Sequence, residues 1–183
     1  WASGETSYSA CMSKLTQGLY GYSGLKYTPD DSEYSAGDVL YLQELLDEID
    51  SQSSTMVNCV VYANLLDVLA YSIGITSSAV GFIQISRKSE EDIVTKKTFP
   101  AGWTSPREEA FYWGLHQIVY FYNESQWDNC IADAAAQVYD GTTPVLAKGD
   151  VTYNYYIPKL TDNIEIVKYP SSGRGHTQIW IVP

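Results

Sequence analysis

The chain has 183 residues, 22 of them acidic against 11 basic, for a formal net charge of -11. Apolar residues make up 45% and aromatics 14%, enough to drive collapse of one domain with a sizeable core. The charge balance argues against a nucleic-acid partner, which needs Lys and Arg against phosphate, and against an anionic membrane surface.

In chain order, residues 1–30 are polar and glycine-spaced, with a short helix expected around Cys11–Leu19. "SAGDVLYLQELLDEID" reads as an amphipathic helix. Val39, Leu42, Leu45, Leu46 and Ile49 recur at helical spacing, with Asp38 near its start. A second helix is expected from Cys59, capped by Asn58 and stopped at Gly74. Its apolar residues cover most of the circumference, and only Asn64, Asp67 and Tyr71 form a polar stripe. Such a helix is buried on nearly all sides.

"SSAVGFIQIS" reads as a strand, and "RKSEEDIVTKKTFPAGWTSPREE" as a charged loop with some local structure. "FYWGLHQIVYFY" and "WDNCIADAAAQVY" form a hairpin around "NESQ". "VTYNYYI", "NIEIVKY" and "TQIWIV" read as further strands, giving C-terminal strands over 151–182. Helices first and strands later imply an α+β fold with an antiparallel sheet. No apolar run of about 18 residues offers a membrane span. Many Ser, Thr, Tyr and Gly and few Lys point to a secreted or cell-surface protein. The expectation is a single domain over 1–183, excised from a longer chain.

Chemistry centres on Cys59. At the first turn of a helix, the positive end of the helix dipole favours a thiolate. The free N–H groups of that turn can receive an oxyanion. A buried structural cysteine is the competing reading, and a disulfide is a third. Three cysteines leave one thiol over; if Cys11 pairs with Cys130, it is Cys59.

A thiolate nucleophile needs a base, and only His116 and His176 exist. With the hairpin turn centred on Glu124–Ser125, Tyr120 faces Asn129, Ile118 faces Ile131 and His116 faces Asp133. Opposed side chains lie about 5 Å apart at Cβ, so Asp133 can hold and orient the imidazole. Asp128 lies roughly 16 Å along the strand from His116 and on the other face. His176, in "SSGRGH", lacks an acid in an equivalent register and reads as a surface histidine opening a strand.

Cys59 with "YANLLDVLAYSIGI" behind it, then a strand, resembles the cysteine helix of the transglutaminase-like superfamily. Tyr62–Ala63 and Gly74–Ile75 match its motif, and His116, Trp127 and Asp133 match its histidine, tryptophan and aspartate in order and type. The resemblance covers roughly residues 38–135. It implies a papain-like α+β core, with a buried cysteine helix packed on an antiparallel sheet and a Cys-His-Asp triad. Members include protein crosslinkers, proteases, amide hydrolases and inactive relatives. By the same resemblance, Gln52 is a candidate oxyanion donor, with an ordinary loop residue as the competing reading; Trp103 and Trp113, which precede His116, are candidate walls of a peptide groove, with core packing as the alternative.

The expected function is thiol-dependent acyl transfer on a peptide or carboxamide, with a peptide or protein substrate. No cofactor is implied, and no metal either, since two distant histidines and scattered carboxylates lack metal-ligand spacing. The rival is a non-catalytic binding or adhesion domain on the same scaffold. Departures from the family pattern at Val60 and Ile118, and the six residues from Trp127 to Asp133, suit that rival.

Overall fold

The computed structural model describes residues 1–30, 33–36, 39–75, 80–87, 93–94, 96–107, 112–113, 115–121, 130–161, 164–169 and 178–179. Helix α1 (Tyr8–Tyr20) precedes the short strands β1 (Leu25–Tyr27), β2 (Ser35–Ala36) and β3 (Val39–Leu40). Helix α2 (Leu42–Ser51), strand β4 (Thr55–Val57) and helix α3 (Cys59–Ser72) follow. Strands then dominate: β5 (Val80–Arg87), β6 (Ile93–Val94), β7 (Thr98–Pro100), β8 (Tyr112–Trp113), β9 (Leu115–Phe121) and β10 (Cys130–Ala132). Beyond them lie β11 (Ala136–Tyr139), β12 (Pro144–Val145), β13 (Lys148–Thr152), helix α4 (Tyr153–Leu160), β14 (Ile164–Tyr169) and β15 (Gln178–Ile179).

The fold is mixed α+β. Its largest described sheet runs β13-β10-β9-β5-β14, antiparallel throughout. A second sheet runs β12-β11-β7, and β1 pairs in parallel with β4. Helices α1 and α3 pack on each other and onto β13 and β9, while α4 packs against β11 and β13. Among the described residues no helix is long and apolar enough to cross a membrane.

Helix α3 starts and stops where its sequence says. The Asn58 side chain accepts from the N–H groups of Val60 and Val61, at 3.1 and 3.2 Å. Such a cap stabilises by about 1 kcal/mol. Val61, Tyr62, Leu66 and Ala70 are fully buried; each large apolar side chain among them stabilises by about 1.5–3 kcal/mol. The polar stripe does not face water as a unit. Asn64 and Asp67 are buried, whereas Tyr71 is 56% exposed. Gln84 donates to Gln117, and Gln117 donates to Asn64, so a polar chain links β5, β9 and α3.

Four expectations are corrected. The α2 helix begins at Leu42, because residues around Val39 pair as strands instead; Asp38 lies outside the described residues. "VTYNYYI" splits between β13 and α4. Thr152 caps α4 by accepting from the Tyr155 N–H, and Tyr156, Ile157 and Leu160 turn inward at helical spacing. Packing of that face overrides the strand preference of tyrosine. "WDNCIADAAAQVY" is not one strand either. Its ladder to β9 stops at Ala132, and the next strand, β11, joins the other sheet. The Asp133 carboxylate causes the break by accepting from the Ala135 and Ala136 N–H groups at 2.9 and 3.3 Å, a local turn that competes with the ladder.

The fourth correction is the register. Tyr120 faces Ile131 and Val119 faces Ala132, a slide of two residues from the expected pairing. Because side chains alternate with a period of two, the slide leaves Asp133 on the His116 side of the sheet. Residues 122–129, Trp127 and Asp128 among them, lie outside the described residues, as does His176.

Candidate active site

Cys59 reaches its place through β4, which runs beside β1 and hands the chain to Asn58. The Asn58 cap uses the amides of Val60 and Val61 and leaves the Cys59 amide outside it. The Cys59 sulfur lies 3.6 Å from the Leu115 carbonyl oxygen, at the residue before His116. Helix α3 and strand β9 therefore meet near Cys59 and His116.

His116 Nε2 lies 2.8 Å from Asp133 Oδ2, with His116 fully buried and Asp133 2% exposed. With Nε2 on Asp133, Nδ1 is the remaining ring nitrogen, and Cys59 lies close enough for its charge to act on the imidazole. Burial pulls the imidazole pKa down, but the Asp133 and Cys59 charges and hydrogen bonds outweigh it and push it up to about 10. The imidazole thus holds its proton at neutral pH.

Asp133 is fixed from several sides. Its amide donates to the Ala147 carbonyl at 2.8 Å, and Oδ1 takes the two turn amides. Oδ2 also accepts the Tyr156 hydroxyl, at 2.6 Å. These contacts face the carboxylate with donors, which suits an acceptor-only ionised group. The Tyr27 phenol is buried near the same centre. Its pKa is raised well above 10, first by burial and then by the Cys59 and Asp133 charges. Neither tyrosine carries a sequence motif; helical spacing of Tyr156 with Leu160 was the signal available for one of them.

The structure brings Cys59, His116 and Asp133 together and leaves Gln52 apart. Gln52 caps the end of α2 on the exposed surface, where its amide donates to Glu48. Trp103 is half-buried and lines an open cleft of about 560 Å³ with Tyr20, Tyr22, Lys26 and Ser54. Its indole N–H donates to the Tyr27 carbonyl at 2.9 Å. The Lys26 amine and the Arg107 guanidinium each sit 5.1 Å from its ring centre. Trp113, in β8, pairs through its backbone with Ile93 of β6; its side chain lies outside the described residues. Cys11, Cys59 and Cys130 are not bridged to one another, so the conditional Cys11–Cys130 pairing is not formed. Among the described residues no three His, Cys, Asp or Glu side chains gather as a metal site.

No protein-family model matches the chain, and neither a curated protein nor a solved structure is similar to it.

Proposed function

We propose that the protein is a thiol acyl-transfer enzyme acting on a peptide or carboxamide, built on a transglutaminase-like variant of the papain-like core. The observation that carries this reading is the buried His116–Asp133 pair at the sulfur of a helix-opening cysteine.

In the reaction, Cys59 Sγ forms a bond to the carbonyl carbon. The Cys59 amide donates to the oxygen as it becomes an oxyanion. The C–N bond then breaks, and His116 passes its proton to the leaving amine, which leaves a thioester on Cys59. Water or an amine attacks that thioester, giving up a proton to His116 and returning the thiolate. Water yields a protease or amidase, and a lysine amine yields a crosslinker. The Trp103 cleft supplies a wall for a peptide chain. The composition suits a secreted or cell-surface setting.

One observation favours a second reading, a non-catalytic binding domain on the same scaffold: Cys59 is only 4% exposed. Iodoacetamide labelling with peptide mapping separates the two. The enzyme reading expects Cys59 to be alkylated faster than the more exposed Cys11 at pH 7, and His116→Ala to abolish the difference. Labelling that simply follows exposure, Cys11 first and Cys59 last, supports the binding domain.

A further inference from the structure

We propose that Tyr156 is a positioning residue of this site, holding the Asp133 oxygen that in turn holds His116. This rests on the acyl-transfer reading for its catalytic meaning, though its geometry stands independently.

The Tyr156 hydroxyl has one proton and two acceptors in reach: Asp133 Oδ2 at 2.6 Å and the Ala136 carbonyl at 3.2 Å. The closer, charged oxygen is the stronger acceptor and takes the proton. Burial first, then the Asp133 charge and hydrogen bond, raise the phenol pKa well above 10, so the hydroxyl stays a donor throughout the working pH range. The His116 Nε2 proton meets the same Oδ2 atom at 2.8 Å. Two donors therefore share one carboxylate oxygen, and they oppose each other electrostatically. The phenolic dipole points its positive end at the oxygen on which the imidazolium depends.

Two consequences follow. Tyr156 limits how far Oδ2 can swing away from His116. It also tempers the hold of Asp133 on the imidazolium, leaving His116 better able to give its proton to a leaving amine. The fold supports the placement. Tyr156 is fully buried on the inward face of α4, and Thr152 caps that helix. The Ala136 carbonyl that is its second acceptor belongs to the turn that Asp133 organises.

The test is an NMR titration of the His116 ring in full-length wild type, in Tyr156→Phe, and with 3-fluorotyrosine installed at position 156. Removing the hydroxyl should move the His116 midpoint upward by about one pH unit. The fluorinated ring, a more acidic donor, should move it downward. A residue that merely fills space would lower the melting temperature in Tyr156→Phe with the midpoint unmoved in both variants, and that result overturns the inference. If Tyr156→Phe does not fold, the fluorinated protein alone decides by the direction of its shift. Slow, His116-independent labelling of wild-type Cys59 would instead sink the acyl-transfer reading and leave the titration result standing.

Discussion

His116 Nε2 and Asp133 Oδ2 lie 2.8 Å apart with almost no solvent access to either side chain. Desolvation alone would strip the imidazole of its proton. The carboxylate and Cys59 reverse that and set its pKa near 10. The charge of the site therefore depends above all on Asp133, the residue that follows β10.

Asp133→Asn tests that dependence with little change of shape. The asparagine oxygen can still accept from the Ala135 and Ala136 amides, but the charge is gone. His116 then keeps the burial that lowers its pKa and loses the largest influence that raises it. Alkylation of Cys59 by iodoacetamide at pH 7 should fall at least tenfold, because the sulfur loses its neighbouring imidazolium. Thermal melting on the same samples checks that the fold survives. An unchanged alkylation rate in a folded variant would contradict the charge coupling.

The pH dependence of stability follows with a definite sign. His116 is raised above its unfolded value of about 6.5. Its contribution is therefore complete below pH 6.5 and is lost as pH rises through the folded value. Cys59 also acts on the imidazole, so the clean measurement uses Cys59→Ala. In that background Asp133 alone raises His116. The melting temperature should decline as pH climbs above 6.5, and adding His116→Gln should flatten the decline. A parallel pH profile in both proteins would mean that His116 gains nothing from Asp133.

Asn58→Ala removes the acceptor of the Val60 and Val61 amides at the start of α3. The expected loss is about 1 kcal/mol, or about 2–4 °C in melting temperature for a chain of this size. Asn58→Asp, which retains an acceptor oxygen, should lose much less. A calorimetric scan of the three proteins distinguishes a capping effect from a general sensitivity of the position.

Much of the candidate site was legible because it rests on local signals. Asn58 before Cys59, the apolar run behind it and Gly74 at its end fix α3 without tertiary information. His116 and Asp133 were matched through a register that proved two residues off, and the match survived because an even slide preserves the face. A slide of one residue would have destroyed it. What stayed hidden depends on packing. Tyr153–Leu160 is tyrosine-rich and resembles a strand locally, yet the surfaces of β11 and β13 select its helical face. The turn at Asp133 was hidden for a related reason: "CIADAAAQVY" alternates plausibly as a strand, and only the carboxylate bonding to its own following amides reveals the break.

Gly102 tests how tightly the two halves of the site are joined. It follows Ala101, whose amide donates to the Ala135 carbonyl and whose carbonyl accepts the Tyr27 amide, both at 2.8–2.9 Å. One short segment thus ties the turn after Asp133 to the strand that carries Tyr27. Gly102 has φ of +74°, and a Cβ there would lie 2.8 Å from the Leu25 carbonyl oxygen. Gly102→Ala therefore adds a backbone clash to conformational strain and should cost more than about 1 kcal/mol. Gly141, at φ of +121° with open space around its would-be Cβ, carries the strain without the clash. Urea titration should show Gly102→Ala to be clearly less stable than Gly141→Ala, with slower Cys59 labelling in the first variant only. Equal losses would mean that the Gly102 turn can shift without disturbing the strand beneath it.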